Sequence, residues 1–475
     1  MEDTISSDAL SEGSPKSSGP IEKRKIPYRV KINTPVILKT EAFKSETINA
    51  QIVNISEDGL GLSLNSEVEV PSPLSIELEL MDLLLRLQGE VRWGKVFDDG
   101  KYYCGMRFLQ KDESQDAILK NFLYTNDEYI QQLIENLPET EKEISDKIEH
   151  FFKGDVKAFV ENLIRLEAEI KAKSRSEDYI LGELTTASEE ILKKGDELEE
   201  IINDKQLVKN IKEGFRSLVG NWVYKSKIVK MSLKESYGYS GNYMTQETIY
   251  NNQSISDGLG IYYDKYFLNN PYAIAVQNRK EKMKDLLMDF LSRTDSQSIN
   301  ILNLASGPCR EIRELMPDLH SINKNIKFTC VDFDENAISF SKEKLIPLPG
   351  NIKVEFLKEN ILRLIAHKDT TLILNRQNLV YSMGLADYLS EAILKRMIFF
   401  AFSLLHEGGK LIITHKNKDK YKPLDPDWFC DWTFVPRNLS GLLKLVNDSG
   451  INDFTIDIDW EDSNKIFFLI LTKKD

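Results

Sequence analysis

Along residues 21–124 apolar and polar positions alternate with a period of two. In LSIELEL, Leu74, Ile76, Leu78 and Leu80 fall on one face and Ser75, Glu77 and Glu79 on the other, as in a half-buried strand. EDG (57–59) and DDG (98–100) place turn residues between such runs. Short strands at this spacing predict a small β-barrel over 21–124. From 125 to 235 the period changes. Glu, Lys, Leu and Ile dominate, and Leu207, Ile211, Phe215, Leu218 and Trp222 form a helical stripe. Leu184, Ile191 and Leu198 are seven apart, but the repeat is not sustained over the heptads a coiled coil needs. This stretch reads as an α-helical linker whose apolar face packs on a neighbour or on a second copy of the chain, a homodimer through the helical region.

Residues 236–475 alternate strands and helices. INILNL (299–304), FTCVDF (328–333), IKVEFLKENI (352–361), NLVYSMG (378–384) and GKLIITHK (409–416) read as strands. Between the last two, Leu389, Ile393, Met397, Phe400 and Leu404 share a helical face that closes at Gly408–Gly409, a C-cap signal. The tail DFTIDIDWEDSNKIFFLILTKK offers two more strands as an antiparallel pair. The predicted fold is a Rossmann-like α/β domain with a doubly wound sheet ending in a hairpin.

Composition bounds the picture. A chain of 475 residues exceeds one core. The net charge of −13 argues against nonspecific binding of a nucleic-acid polymer over the whole surface. Cys104, Cys309, Cys330 and Cys430 show no CxxC spacing, which argues against a metal site and suits a reducing, cytoplasmic setting. No run of about 18 apolar residues predicts a membrane span. Residues 1–20 are rich in Ser, Gly and acid and read as a disordered tail.

The strand–turn–helix–strand–acid unit at 299–338 is how an open parallel sheet holds a nucleotide-like cofactor. A dinucleotide fold prefers GxGxxG, because pyrophosphate rests on the helix N-terminus. Here the turn NLASGPCRE carries only Gly307, with Pro308 beside it. S-adenosylmethionine has no phosphate and tolerates such a turn. By position, Gly307 approaches its methionine part, Asp332 its ribose hydroxyls and Asn360 its adenine.

Residues from about 230 onward resemble class I S-adenosylmethionine-dependent methyltransferases, and most closely the branch that makes the methyl ester of 3-hydroxypalmitic acid. GYSGNY (238–243), ASGPCRE (305–311), VYSMGLADYL (380–389) and DWFCDWTFVPR (427–437) carry the resemblance. That branch has an acid where this chain has Asn242. The acid usual at the opening of the turn is Asn303, and the first glycine is Ala305. The resemblance extends the cofactor-binding candidates to Asn303, Ala305, Ser306, Arg310, Ser382 and Gly384. A carboxylate acceptor is already ionised and needs a cationic anchor and an apolar slot. Arg279, Arg310 and Arg437 are the anchor candidates, and Tyr239, Tyr243, Tyr381, Tyr388, Trp428 and Trp432 the slot. Tyr239, Tyr243, Arg279 and Arg437 are the candidates for direct action. Asp387 reads as a helix cap. An amine or hydroxyl acceptor would instead need a base, with His415 and Asp387 the first suspects. VYSMG in place of [ND]PP[YF] disfavours nucleic-acid methylation.

At the other end, RKIPYR (24–29) precedes the barrel and NISEDG (54–59) forms a turn on it. The region 21–124 resembles the PilZ family, which binds cyclic di-GMP through RxxxR and [DN]xSxxG. The second motif matches at Asn54, Ser56 and Gly59. In the first, Lys25 stands where the first Arg is expected, with Arg24 beside it and Arg29 as the second; Lys keeps the charge but loses the planar fork. The whole reads as a cyclic di-GMP-responsive methyltransferase acting on a small or lipid-like carboxylate. The alternative is a signalling adaptor with an inactive methyltransferase fold that binds protein partners, favoured by Asn242 and Asn303.

Overall fold

The computed structural model describes residues 30–39, 47–80, 83–111, 113–125, 127–135, 137, 142–233, 241–345, 348–366 and 374–474. The expected tail, Arg24, Lys25, Arg29 and Tyr239 lie outside them. Contact density divides the chain into two units, 1–123 and 124–475.

In the first unit, β1 (Val30–Lys39), β2 (Thr47–Ser56), β3 (Gly59–Leu64), β4 (Ser72–Leu80), β5 (Leu83–Val96) and β6 (Tyr102–Gln110) close into a barrel in the order β1-β2-β3-β6-β5-β4. Every described pairing is antiparallel, and β1 meets β4 to shut the ring. The alternation seen in the sequence sets which side chains turn inward: Leu74, Ile76 and Leu78 of β4 are buried with Leu60, Leu62 and Leu64 of β3. Closure removes the exposed strand edges that a short meander would leave. The chain reverses between β2 and β3 at Glu57–Asp58, and at the other predicted turn Gly100 takes a φ of 77°. A helix, α1 (Glu113–Thr125), follows.

The second unit opens with α2 (Asp127–Ile134) and α3 (Lys142–His150), then a π turn (Phe151–Val156) leading into α4 (Lys157–Ala172). Next come α5 (Glu177–Ile201), α6 (Lys205–Val223), α7 (Lys227–Ser232), α8 (Tyr243–Asn251), α9 (Leu259–Leu268) and α10 (Pro271–Arg293). Side-chain caps start several of them: Asp204 accepts from the amides of Gln206 and Leu207, and Asn270 from that of Tyr272. The stripe expected on a linker is covered by the chain itself. Phe215 of α6 packs on Trp428 and Phe429, which lie on α15 (Leu424–Cys430). Lys212 reaches Asp427 at 2.6 Å. Leu207, Ile211, Phe215 and Leu218 of the stripe are buried and Trp222 is half-buried; burying a side chain of this kind contributes about 1.5–3 kcal/mol.

The sheet has seven strands in the order β12-β13-β11-β10-β7-β8-β9. They are β7 (Ser298–Leu304), β8 (Asn325–Asp332), β9 (Ile352–Lys358), β10 (Gln377–Ser382), β11 (Leu405–Lys416), β12 (Phe454–Trp460) and β13 (Ile466–Lys473). The first five are parallel, and β13 lies antiparallel between β11 and β12. Helices pack on both faces. Met283 and Leu287 of α10, with Ile312 and Leu315 of α11 (Arg310–Leu319), cover one face. Leu394 and Met397 of α14 (Glu391–Ser403), with Leu442 and Leu445 of α16 (Leu439–Asn447), cover the other. The remaining helices are α12 (Glu335–Lys344) and α13 (Ile361–Ala366). The helix expected to run to Gly408–Gly409 ends at Ser403, because β11 already begins at Leu405 and Gly408 takes its positive φ of 73° inside that strand.

Candidate functional site

The strand order reverses at β7 and β10, which sit side by side with β8 beyond one and β11 beyond the other. An open α/β sheet forms its ligand crevice outside the carboxyl ends of the strands at such a point. After β7, Ala305, Gly307 and Cys309 have φ of 57°, 52° and 49°. Left-handed backbone costs a residue with a Cβ about 1–2 kcal/mol, so the turn is held by specific bonds. The Ser306 amide donates to Val331 O at 3.0 Å. The Gly307 amide donates to Asp332 Oδ2 at 2.7 Å, and that of Asp334 to Asp332 Oδ1 at 2.9 Å. Burial pushes the Asp332 carboxyl up from its ordinary value, and these amides oppose the shift.

On the β9 side, Asn360 is exposed and its Oδ1 accepts from the Leu362 amide at 2.8 Å, capping α13. Phe333 and Leu362 are 53% and 47% exposed just past the ends of β8 and β9. Sequence reading missed both, because exposure of an apolar residue next to a strand end has no local signature.

α8 covers the turn. A Cβ placed on Gly307 would meet Gln246 Oε1 first, at 3.5 Å. Glu247, 8% exposed, pairs with Arg310 at 3.1 Å and with Arg313. Arg310 also bonds Glu314 at 2.5 Å and Asn251 at 2.9 Å, so its fork is committed to neighbours within the fold rather than to an acceptor. Asn242 caps α8: its Oδ1 accepts from the Thr245 amide at 3.0 Å and its Nδ2 donates to Met231 O at 2.9 Å. A carboxylate at 242 could not make the second bond. Tyr243 turns its ring to Phe340, 5.4 Å between centroids.

On the β10 side, Ser382 Oγ donates to Leu304 O at 2.8 Å, tying the two strands at the reversal. Gly384 has φ 85°, and its amide donates to Thr414 Oγ1 at 3.0 Å. A Cβ there would lie 2.7 Å from Arg279 Nη1. Arg279 is 4% exposed and its Nε has no hydrogen-bond partner. Ser306 Oγ, 6% exposed, is likewise without one.

Beyond lies a buried polar cluster. Asp387 is not a helix cap. It sits in a short 3-10 turn and accepts from Lys416 N at 2.9 Å and Lys416 Nζ at 3.0 Å. Burial opposes its charge, but Lys416 and His415 bring its carboxyl below the ordinary range. Lys416 faces the rings of Phe434 and Tyr272, 3.3 and 4.7 Å from their centroids, and burial draws its ammonium down to about 8. His415, kept below its ordinary value by burial, meets Arg437 Nη1 at 3.2 Å. Arg437 donates from Nη1 to the carbonyl of Ala386, at 3.1 Å, and from Nη2 to that of Leu389, and its Nε has no hydrogen-bond partner. Tyr388, 41% exposed, accepts from Trp432 Nε1 at 2.7 Å. Two slot candidates are core instead. Trp428 is 1% exposed among Phe151 and Phe215, and Tyr381, fully buried, donates to Glu311 Oε1 at 2.7 Å.

A cavity of about 30 Å³ opens behind Tyr272 and Trp432, lined also by Ile249, Thr245 and Asp425. A larger one of about 150 Å³, at Asn300, Lys327, Thr329 and Glu355, lies along the strands rather than at their carboxyl ends. Among the described residues, no group of three or more His, Cys, Asp or Glu is placed to hold a metal ion. No described helix is long and apolar enough to cross a membrane.

The barrel carries the second candidate site. Ser56 is fully buried and donates from Oγ to Gly59 O at 3.0 Å. A Cβ on Gly59 would lie 2.2 Å from Met106 O, so glycine lets β3 sit close on β6. Asn54, Gly61, Gly105 and Trp93 are cross-strand partners in one row over β2, β3, β6 and β5. The Asn54 amide lies over Gly61 and the Trp93 indole over Gly105, 3.1 and 2.1 Å from where Cβ atoms would stand. In the next row Ser56, Gly59 and Arg107 follow one another. Trp93 is 52% exposed and Arg107 is exposed. Neither was singled out from sequence, where each reads as an ordinary strand residue.

The family model described as PilZ domain matches residues 22–125. No curated protein matches the chain. Among solved structures, the chain is similar to a possible exported protein from Bordetella parapertussis, at 12% identity and a TM-score of 0.40, over 68% of this chain and 97% of that one. It is also similar to magnesium protoporphyrin IX methyltransferase from Synechocystis PCC 6803 with bound SAM (11% identity, TM-score 0.31, 43% of this chain and 85% of that chain). A third is N-methyltransferase NodS from Bradyrhizobium japonicum WM9 (11%, 0.30, 42% and 97%).

Proposed function

We propose that this is a cytoplasmic protein in which a cyclic di-GMP receptor barrel is joined to an S-adenosylmethionine-dependent methyltransferase acting on a small or lipid-like carboxylate. The observation that carries the enzyme reading is the turn at the strand reversal, bonded through Gly307 to the acid that ends β8. The residues present suit the cofactor. Asp332 borders the ribose side, with Phe333, Asn360 and Leu362 on the adenine side. Gly307, Ser306 Oγ and Gly384 border the methionine side. The buried, unpartnered Nε of Arg279 and Oγ of Ser306 are polar atoms that a polar ligand would satisfy. When bound, the cofactor supplies a methyl group activated by its sulfonium.

The chain's own part is alignment and exclusion of water. Of the anchor candidates, Arg310 is paired with Glu314 and both terminal nitrogens of Arg437 bond backbone carbonyls, so the acceptor carboxylate is assigned to Arg279, whose Nη1 borders Gly384. Tyr388 and Trp432, linked by their hydrogen bond, wall the approach. An ionised carboxylate has no proton to lose, so no base is assigned.

The barrel reading rests on the Asn54–Ser56–Gly59 turn and the PilZ match. Arg29 and Arg24 with Lys25 supply cations for the phosphates. Trp93 offers a ring face for a guanine and Arg107 a further planar cation.

The adaptor reading is favoured by the internal use of Arg310, Arg437 and Lys416. Formation of S-adenosylhomocysteine from candidate fatty-acid carboxylates, with and without cyclic di-GMP, separates the two. Turnover supports the enzyme; cofactor binding without turnover for any acceptor supports the adaptor. Loss of cyclic di-GMP binding in Arg29→Ala is expected, and unchanged affinity would sink the receptor assignment.

A further inference from the structure

Asn303 stands where the resembled family carries an acid. The structure puts a carboxylate within hydrogen-bond distance of it from elsewhere in the chain. Glu311, in the first turn of α11, is 1% exposed. Its Oε1 accepts from Asn303 Nδ2 at 3.0 Å and from the Tyr381 hydroxyl at 2.7 Å. One oxygen thus joins the carboxyl end of β7, that of β10 and the start of α11, the three elements that meet at the strand reversal. The bond from Asn303 to Glu311 closes the base of the loop that holds Ala305, Gly307 and Cys309.

The amide at 303 follows from the acid at 311. Two carboxylates this close cannot both ionise cheaply in a buried site, whereas an amide donates to the carboxylate and steadies it. Tyr381, fully buried, uses its hydroxyl on the same oxygen. Burial pushes the Glu311 carboxyl up from its ordinary value, with the Tyr381 bond opposing.

We infer that Glu311 is a positioning residue for the cofactor turn, supplying from α11 the negative charge that related turns place on the first strand, so that Asn303 is its partner and not a mark of a lost site. This rests on the S-adenosylmethionine reading above.

The test uses the full chain and four variants: Glu311→Gln, Glu311→Ala, Asn303→Asp and the double variant Asn303→Asp/Glu311→Gln. Each is measured for S-adenosylmethionine affinity by calorimetry and for Tm. Gln at 311 can accept the same two bonds, so its Tm should stay near the wild type. Loss of the charge should weaken binding of the positively charged S-adenosylmethionine about tenfold. Glu311→Ala should lose both affinity and Tm. Asn303→Asp should lower Tm by setting two carboxylates together. The double variant returns the acid to the first strand and should recover affinity and Tm. Wild-type affinity in Glu311→Gln, or a double variant no better than Asn303→Asp, overturns the inference while the cofactor reading stands. A wild-type chain with normal Tm that binds no S-adenosylmethionine overturns both.

Discussion

Gly307 donates its backbone N–H to the Asp332 carboxylate at 2.7 Å, so the turn after β7 and the acid that ends β8 form one hydrogen-bonded unit. Asp332→Ala frees the amides of Gly307 and Asp334 at a site only 6% exposed. Leaving them unpaired should cost about 1–3 kcal/mol each. The expected result is a lower Tm together with loss of S-adenosylmethionine binding in calorimetry. Asp332→Asn, which keeps one acceptor, should recover part of the stability.

Gly384 and Arg279 exclude a side chain between them. Gly384→Ala sets a Cβ 2.7 Å from the guanidinium and forces alanine to a φ of 85°. The backbone alone costs about 1–2 kcal/mol, and Arg279 must move. Calorimetry should show weaker ligand binding, and turnover should fall further than stability does.

Glu314 makes acid stability testable. Burial would raise its carboxyl, but the hydrogen bonds from Lys280 and Arg310 outweigh it and bring it from 4.5 to about 2. A depressed carboxyl contributes stability that is complete above 4.5 and is lost as pH falls toward about 2. Glu314→Gln should lower Tm at neutral pH and flatten the loss of Tm across that window, as followed by thermal melts at stepped pH.

In the barrel, Gly59→Ala would drive a Cβ to 2.2 Å from the Met106 carbonyl oxygen. Because the obstacle is backbone, β3 must shift from β6, at about 1–3 kcal/mol. Thermal unfolding should show the loss, and cyclic di-GMP affinity should fall with it. Ser56→Ala, which deletes the bond to Gly59 O at 3.0 Å, should be milder in Tm.

Trp93→Ala removes an exposed ring that lies over Gly105. Stacking on an aromatic is worth about 1–3 kcal/mol per base. Cyclic di-GMP affinity should drop by about tenfold or more with little change in Tm; unchanged affinity would place the nucleotide off this face.

Much of this was legible in one dimension. The alternation in LSIELEL specified which side of β4 is buried, because a pleated strand turns successive side chains to opposite faces. The run from Asn303 through Gly307 to Arg310 announced a strand, a turn and a helix, because glycine and proline punctuate a chain locally. The antiparallel tail was equally plain in FTIDIDW and IFFLILTK. The place of β13 between β11 and β12 was not, since register is a relation between segments far apart in the chain.

The same distinction runs through the site. By itself the sequence determined that acids, amides and arginines of the right kinds stand at the ends of strands and turns. Which of them remain available for a ligand was decided only by tertiary packing. Arg310 is taken by Glu247 and Glu314, the two terminal nitrogens of Arg437 by backbone carbonyls and Trp428 by the helical core, while Arg279 lies against Gly384 with its Nε unpartnered, as is the Nε of Arg437. Asn242 and Asn303 looked like losses of charge. In three dimensions their amides donate to Met231 O and to Glu311, bonds an ionised acid cannot form. A residue's type sets what it is able to bond; its neighbours in space, brought from anywhere in the chain, set what it does bond.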